Sequence, residues 1–266
     1  PQDKSLNQLI NDLKEELDNQ KHCILSSENF YLFPNPEKLL FLLESFGFEL
    51  GSIKIVIYVR RQDDIHMSWY NQMVKAQGYQ GTIKETVREN HKVWDYELNL
   101  ISWAKVFGES NLIVRPYQAE DLIDNDISKD FLKLINLKSD LFRFPVKKIN
   151  TKINADILEF QRALNHLPIP IEEKRQFHKS LIELTASAKD HGLFDDFPLL
   201  SSQDRVSIIN TYSSSNANVA LKYLNRSELF NSDIPCLEKY HVQDKHQLSV
   251  EKLTYILGWL IIKSND

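Results

Sequence analysis

The segment that most constrains the fold is an apolar run at residues 53–59, with the sequence IKIVIYV. Apolar side chains fall on both faces of this run, which is typical of a central parallel strand covered by helices. Shorter apolar runs at 22–25 and 111–114 predict two further strands. The segments with helical periodicity in this half are 5–19, 36–47, 64–77, 96–107 and 128–137. The alternation predicts an α/β fold with a doubly wound parallel core over residues 1–138.

The second half of the chain has a different pattern, which predicts mainly helices. The segments with helical periodicity, separated by polar or proline-containing breaks, are 154–166, 171–189, 203–225 and 249–262. We therefore expect residues 139–266 to form a mainly helical extension packed on the α/β core. A separate helical domain is the alternative, but we favour one domain over residues 1–266.

Charge and composition argue against several classes of protein. The net charge is −5 and the sequence pI is about 5.9, so a nucleic-acid binder, which needs a basic surface, is not expected. Any anion site must therefore be local. Cys23 and Cys236 are the only cysteines in the chain. They indicate a reducing compartment, and they predict neither a disulfide framework nor a cysteine-based metal site.

Hydropathy predicts no transmembrane segment, because no apolar run reaches the roughly 20 residues that span a bilayer. Together with the reducing compartment that the cysteines indicate, this leads us to expect a cytoplasmic protein. The longest candidate, residues 253–262 (LTYILGWLII), predicts a terminal helix packed on the core. A dimer contact or a peripheral membrane contact is the alternative for this segment. The chain starts with Pro1 rather than Met, and we expect that this is not the native start.

The stretch that follows the long apolar run, YVRRQDDIHMSWYNQ, indicates an anion site. Arg60 would end the strand and point into the crevice beyond the strand ends, where open α/β sheets bind ligands. Asp63 or Asp64 can cap the next helix, which would place Ser68 about one turn inside it, facing back toward Arg60. A guanidinium, a hydroxyl and the amino end of a helix together suit a phosphate. From residue types alone, a local ion pair between arginine and aspartate is the more common outcome.

These residues resemble the 3′-phosphate-binding segment of the sulfotransferase family, in which a strand ends in Arg and a Ser follows eight positions later. Arg60 and Ser68 occupy those two positions, and the RRQDD sequence is similar to that of a bacterial branch thought to act on glycans. The resemblance extends over about three quarters of the chain. Its further segments are ILSSENF (24–30), DYELNLISWAKVFGESNLIVRPYQAEDL (95–122), DISKDFLKLINL (126–137) and INTKINADILEFQRALN (149–165).

The resemblance implies a P-loop-like parallel sheet flanked by helices. It also implies an enzyme that uses 3′-phosphoadenosine 5′-phosphosulfate (PAPS) as co-substrate, with no metal cofactor. Such an enzyme moves the sulfuryl group to an acceptor hydroxyl or amine, here of a carbohydrate or glycan, and releases adenosine 3′,5′-bisphosphate (PAP). Arg60 and Ser68 would then bind the 3′-phosphate, which distinguishes this donor from ATP.

The sequence departs from the family at the loop that binds the 5′-phosphosulfate. That loop is rich in Gly and in Ser or Thr, carries a Lys or Arg and follows the first strand. None of the seven glycines lies in such an arrangement. We favour a sulfotransferase represented without its first strand and loop; the alternative is a non-catalytic relative that binds glycans or a partner protein. A nucleotide-dependent kinase would need a P-loop and a metal-binding carboxylate, and neither pattern is found.

Sulfuryl transfer needs a base that removes the acceptor proton, and Glu28, at the end of the first predicted strand, is the candidate catalytic residue. A capping role in the Ser-Ser-Glu turn is the alternative for Glu28. His66 is expected on the exposed surface of the helix that carries Ser68. Arg61 is expected to pair with Asp63 or Asp64; contact with an acid group on a sugar ring is the alternative.

Further cations are weaker candidates. Arg115 ends the third predicted strand, so it could face the same crevice or bond helix carbonyl groups. Lys147, Lys148 and Lys152 form a small basic group ahead of a helix. In the family, cations from this region often point toward the donor, but a solvated loop is the default interpretation.

Overall fold

The computed structural model describes residues 5–17, 20, 22–144, 153–188, 192–194, 198–230 and 248–263. Within these ranges, two strands form a sheet, β1 (Ile55–Val59) and β2 (Leu112–Pro116). The α-helices of the described residues are α1 (Leu6–Leu17), α2 (Pro36–Ser45), α3 (Gln62–Ala76), α4 (Ile83–Glu89), α5 (Tyr96–Phe107), α6 (Ile127–Leu134), α7 (Ala155–Leu164), α8 (Ile171–Ala188), α9 (Ser202–Thr211), α10 (Ser213–Leu224) and α11 (Val250–Lys263). The predicted α/β class is confirmed, with far more helix than strand.

The sheet consists of two parallel strands, in a register that pairs Ile55 with Leu112 and Val59 with Pro116. Parallel strands cannot be joined by a tight turn, and here the crossover contains α3, α4 and α5. The apolar runs at 53–59 and 111–114 thus form the strands that their composition predicted. The doubly wound, P-loop-like core is a larger structure than this pair of strands, and it stays a prediction.

The predicted strand at residues 22–25 is wrong. The segment has no regular secondary structure, and Ile24 and Leu25 are 57% and 41% exposed. A strand forms only when a neighbour takes up its backbone N–H and C=O groups. No strand of the described residues pairs with this segment, and an apolar composition alone does not make the segment a strand.

The helix predictions are largely confirmed. Gly47 ends α2 in the left-handed region, with φ of +89°, as a glycine after a helix commonly does. The prediction of one helix over 203–225 is wrong in one respect, because the helix is interrupted at Tyr212, which separates α9 from α10. Helix α4 was not predicted, although Thr82 and Glu85 form a capping box at its start, which is a readable sequence signal.

In the part of the chain that the structure describes, three groups of buried apolar residues hold the elements together. The first packs α2, α5 and α10 against the sheet, with Val59 and Phe107 almost fully buried. The second joins the end of α3 to α7, α8 and α11, and the third lies between α3 and α9 around Trp94. Burying one large apolar side chain contributes roughly 1.5–3 kcal/mol. Helix α3 therefore connects the carboxyl edge of the sheet to the helical half of the chain.

The apolar segment near the carboxyl terminus forms α11, and Ile256 of this helix is fully buried in the second group. The prediction of a terminal helix packed on the core is confirmed. Among the residues that the structure describes, no helix has the length and apolar character that crossing a membrane requires.

Candidate functional site

The candidate site lies at the carboxyl edge of the sheet. The backbone N–H of Tyr117 donates to the Val59 carbonyl at 2.6 Å, which adds one bond beyond the last residues of the two strands. Arg60 leaves the sheet at this point, and α3 begins two residues later. Because ligands of open parallel sheets bind beyond this edge, the side chains that leave it are the candidates for function.

Arg60 has a fixed backbone, and no described residue pairs with its side chain. Its N–H donates to the Tyr96 hydroxyl at 3.1 Å, and the same hydroxyl donates to the Arg60 carbonyl oxygen. Burial raises the pKa of Tyr96, although the bond to Arg60 and the charge of that residue oppose the change, so the hydroxyl keeps its proton. The half-buried Arg60 guanidinium has neither a hydrogen bond nor an ion pair with any described residue.

Arg61 has the opposite environment and is nearly buried, at 8% exposure. Its Nε donates to Asp63 Oδ1 at 2.8 Å, and Arg205 of α9 donates to Asp63 Oδ2 at 2.5 Å and to Asp64 Oδ1 at 3.0 Å. Burial by itself would raise the pKa of Asp63, but the bond from Arg61 and the charges of Arg205 and Arg61 outweigh burial and lower it. The predicted pairing of Arg61 with an aspartate is confirmed, and these two arginines and two aspartates form a cluster without net charge.

Arg115 does not join Arg60 at the edge of the sheet. Its Nη2 donates to Asp130 Oδ1 at 2.5 Å and to the Asp121 carbonyl at 2.6 Å. The Tyr58 hydroxyl donates to the second oxygen of Asp130 at 2.7 Å. Burial would raise the pKa of Asp130, but the bonds from Arg115 and Tyr58 lower it. Of the two roles predicted for Arg115, bonding to helix carbonyl groups is the one observed, through the Asp121 carbonyl of the short 3₁₀ helix Ala119–Asp121. The bonds to the Asp130 carboxylate of α6 were not predicted.

Ser68 is exposed on α3, and its position differs from the predicted one. The N-cap of the helix is Arg61, which makes no side-chain capping bond, so the expectation that Asp63 or Asp64 caps the helix is wrong. The reason is that Asp63 is taken up by the buried arginines. Ser68 is the seventh helical residue, so it lies roughly 9 Å along the helix axis from Gln62 rather than about one turn in.

The Ser68 side chain lies on the solvent side of α3, away from the buried face formed by His66, Tyr70 and Val74. Neither its hydroxyl nor the Arg60 guanidinium bonds a described residue. Both groups are therefore available to an external ligand, although the structure does not join them directly.

Glu28 lies in a different local structure from the predicted one. It is the first residue of a short 3₁₀ helix, Glu28–Phe30, and it is exposed, so its expected place at the end of a strand is wrong. The Ser27 side chain caps this turn by accepting from the Asn29 N–H at 3.2 Å. Tyr31, directly after the turn, packs edge-to-face on Tyr96 with ring centroids 6.2 Å apart. The segment with Glu28 thus adjoins the tyrosine that holds the Arg60 backbone.

His66 is fully buried, and the prediction that it lies on the surface is wrong. Its Nε2 lies 3.1 Å from the Tyr212 hydroxyl, which donates its one proton to the His91 carbonyl at 2.7 Å. His66 must therefore donate through Nε2, which leaves Nδ1 without a proton in the neutral ring; Nδ1 has no hydrogen-bond partner among the described residues. Burial lowers the pKa of His66 to about 4, and the Asp63 charge opposes this shift.

The basic group ahead of α7 and a possible metal site are the remaining candidates. Lys147, Lys148 and Lys152 lie outside the described residues. Within the described ranges, no group of three or more His, Cys, Asp or Glu side chains could hold a metal ion.

Two residues at the site were not singled out from the sequence. Tyr96 was recognisable only as a core aromatic, although the preceding Asp95, which caps α5 by accepting from the Leu98 N–H, marks a helix start. Arg205 lies 142 positions after Asp63, and no local pattern predicts a contact at that separation.

The chain is similar to an uncharacterized protein of Archaeoglobus fulgidus, with 24% identity over 193 residues. The aligned region is 72% of this chain and 52% of that protein, so the chain spans about half the length of the curated relative that it matches. No family model and no solved structure matches the chain.

Proposed function

We propose that this chain is the main part of a PAPS-dependent sulfotransferase that acts on a carbohydrate, with Arg60 and Ser68 as ligands of the donor's 3′-phosphate. The observation that carries the proposal is the unpaired Arg60 guanidinium at the carboxyl edge of the sheet. Arg61, the next residue in the chain, and Arg115, inside β2, are both paired with carboxylates. Among these three arginines, Arg60 is the one whose charge no described residue compensates.

The chemistry of Arg60 suits a phosphate. A guanidinium presents its N–H groups in a planar fork, which matches two phosphate oxygens and forms stronger bonds than a neutral donor. The exposed Ser68 hydroxyl on α3 would add one more donor to the same group. Arg61 and Arg205 stabilise the start of α3 through Asp63 and Asp64, and Arg115 is paired with Asp130 of α6. These arginines do not compete for the ligand, because carboxylates balance their charges.

In the proposed reaction, an acceptor hydroxyl attacks the sulfur atom of PAPS. A new bond forms between the acceptor oxygen and sulfur, the bond between sulfur and the 5′-phosphate oxygen breaks, and PAP leaves. The acceptor proton passes to the Glu28 carboxylate, which is exposed and lies on the segment beside Tyr96. The P-loop-like fold and the cytoplasmic location belong to the same proposal.

A non-catalytic glycan- or protein-binding module is the second candidate. One observation favours it: neither β1 nor β2 is followed by a glycine-rich loop that could bind a 5′-phosphosulfate. The two candidates predict different binding of a nucleotide with a 3′-phosphate. A sulfotransferase binds this phosphate through Arg60, whereas a module without donor binding does not.

Thermal unfolding with nucleotides tests the proposal. A ligand that binds only the folded state stabilises it by about 2.7 kcal/mol at 100 times its Kd. We expect PAP to raise Tm clearly more than AMP, which lacks the 3′-phosphate, because Arg60 and Ser68 bind that group. Arg60→Ala should abolish the difference between PAP and AMP, and Ser68→Ala should reduce it.

The matched control is Arg88→Ala, which removes an exposed arginine of α4 and should leave the difference unchanged. Equal Tm shifts with PAP and AMP in the wild-type protein would contradict the proposed function. A difference that survives in Arg60→Ala would contradict the assignment of the site.

A further inference from the structure

The Tyr96 hydroxyl satisfies the backbone of Arg60 at the point where the sheet ends. It accepts from the Arg60 N–H at 3.1 Å and donates to the carbonyl of the same residue. Backbone groups that leave a sheet edge lose their ladder partners, and a buried group without a partner is costly. Since one hydroxyl bonds both polar groups of Arg60, it restricts the backbone torsions of that residue and hence the direction of its Cα–Cβ bond.

The position of Tyr96 is itself well determined. Tyr96 is the first residue of α5 and is 3% exposed. The preceding Asp95 caps the helix by accepting from the Leu98 N–H at 3.3 Å, and the Ser215 hydroxyl of α10 donates to Asp95 at 2.6 Å. The start of α5 is thereby attached to α10, so the hydroxyl is presented to Arg60 from a rigid support.

We propose that Tyr96 is a positioning residue of the 3′-phosphate site, in which its hydroxyl holds the Arg60 backbone so that the guanidinium is directed at the phosphate. The inference rests on the proposed function. Tyr96 does not touch the ligand in this account. Its contribution is preorganisation, because an arginine whose backbone is already fixed loses less freedom when the phosphate binds.

The ring and the hydroxyl of Tyr96 have separable roles. The ring packs on Tyr31 and on Phe230, with centroids 6.2 and 6.5 Å apart. Tyr96→Phe keeps these contacts and removes only the hydroxyl. Tyr212→Phe is the matched control, since Tyr212 is also a buried tyrosine whose hydroxyl bonds a carbonyl, but that carbonyl belongs to His91 rather than to Arg60.

The test compares the ratio of PAP to AMP affinities, measured by calorimetric titration, in the wild type and the two variants. We expect Tyr96→Phe to lower this ratio about tenfold, which corresponds to about 1.4 kcal/mol. Tyr212→Phe should keep the wild-type ratio even though its Tm falls. Incorporation of 4-aminophenylalanine at position 96 restores a hydrogen-bonding group and should restore most of the ratio. If the Phe variant does not fold, this variant replaces it in the comparison with the wild type.

A second readout is the pH titration of the 3′-phosphate of bound PAP, followed by phosphorus NMR. The second pKa of a phosphate monoester is about 6, and a guanidinium in contact favours the dianion and lowers that pKa. We expect a lowered pKa in the wild type and in Tyr212→Phe, and a value close to that of free PAP in Tyr96→Phe. A general loss of stability would not move this value.

The outcomes separate the two proposals. If the wild type binds PAP and AMP equally, the proposed function fails, and the positioning role fails with it. If the wild type prefers PAP and Arg60→Ala loses the preference, but Tyr96→Phe keeps it within about twofold, the proposed function stands and the positioning role is overturned.

Discussion

Arg60 and Arg61 are neighbours in sequence, but they belong to two regions with opposite character. Arg60 marks the carboxyl edge of the sheet, where its guanidinium is half-buried and bonds no described residue. Arg61 belongs to the buried cluster at the start of α3, where Asp63 accepts from both Arg61 and Arg205. The difference shows that the role of a charged residue depends on which partner groups the fold places beside it. Arg60, which no described residue pairs with, is therefore the candidate for binding.

In the buried cluster, the energetic cost of burying charged groups explains why Asp63 is fully hydrogen-bonded. Removing charges from water costs several kcal/mol per ion, and only good geometry with a partner offsets this cost. Asp63 has no exposed surface, and it receives three hydrogen bonds, from Arg61 Nε and Nη2 and from Arg205 Nε. A cluster of this kind fixes how α9 packs on α3.

The largest expected effect comes from breaking the buried cluster. Asp63→Asn leaves Arg61 and Arg205 buried without their shared counter-charge, and we expect it to lower the free energy of unfolding by about 3–5 kcal/mol. Urea denaturation measures this change. The control is Asp64→Asn, whose side chain is 31% exposed and accepts a bond from Arg205 at 3.0 Å, and which should cost less than about 1 kcal/mol. Equal costs for the two variants would contradict the description of the cluster.

His66 lies one turn after Gln62 on the same buried side of α3, and its titration gives the stability of this region a pH dependence. Its pKa falls from 6.5 to about 4 because burial disfavours the charged ring. Between these values the unfolded chain binds more protons than the folded protein, so stability decreases as the pH falls from about 6.5 to about 4. The loss is roughly 3 kcal/mol.

The pH dependence of the free energy of unfolding, measured by urea denaturation at several pH values, tests this assignment. His66→Gln should flatten the slope between pH 6.5 and 4, while His22→Gln, which removes an exposed histidine, should leave it unchanged. Asp63 acts in a lower range, because its lowered pKa means that its contribution is lost only as the pH falls below about 4. An unchanged slope in His66→Gln would contradict the assignment.

Several features could be predicted because they depend on neighbours in sequence. The apolar run at 53–59 indicated β1, and the pairing of Arg61 with Asp63 follows from their separation of two residues. The predicted strand at 22–25 failed because strand formation depends on a partner strand, which composition does not reveal.

Features that depend on distant contacts could not be predicted in the same way. His66 shares α3 with the exposed Ser68, and its burial follows from Tyr212, which lies 146 positions later. The N-terminus of α3 was misplaced for a similar reason, since Asp63 is held by Arg205 instead of capping the helix. Arg60 was identified from its position after the strand. The sequence could not show that the neighbouring carboxylates pair with Arg61 and Arg115 and that no described carboxylate pairs with Arg60.

The most direct test of the central claim compares Arg60→Ala with Arg61→Ala, measuring for each the free energy of unfolding and the Kd for PAP. We expect Arg60→Ala to change stability by less than about 0.5 kcal/mol and to weaken PAP binding more than tenfold. Arg61→Ala should lower stability by about 3 kcal/mol or more, because it removes one partner of the buried Asp63, and should keep PAP affinity within about threefold. Wild-type affinity for PAP in Arg60→Ala, or no binding of PAP by the wild type, would contradict the account.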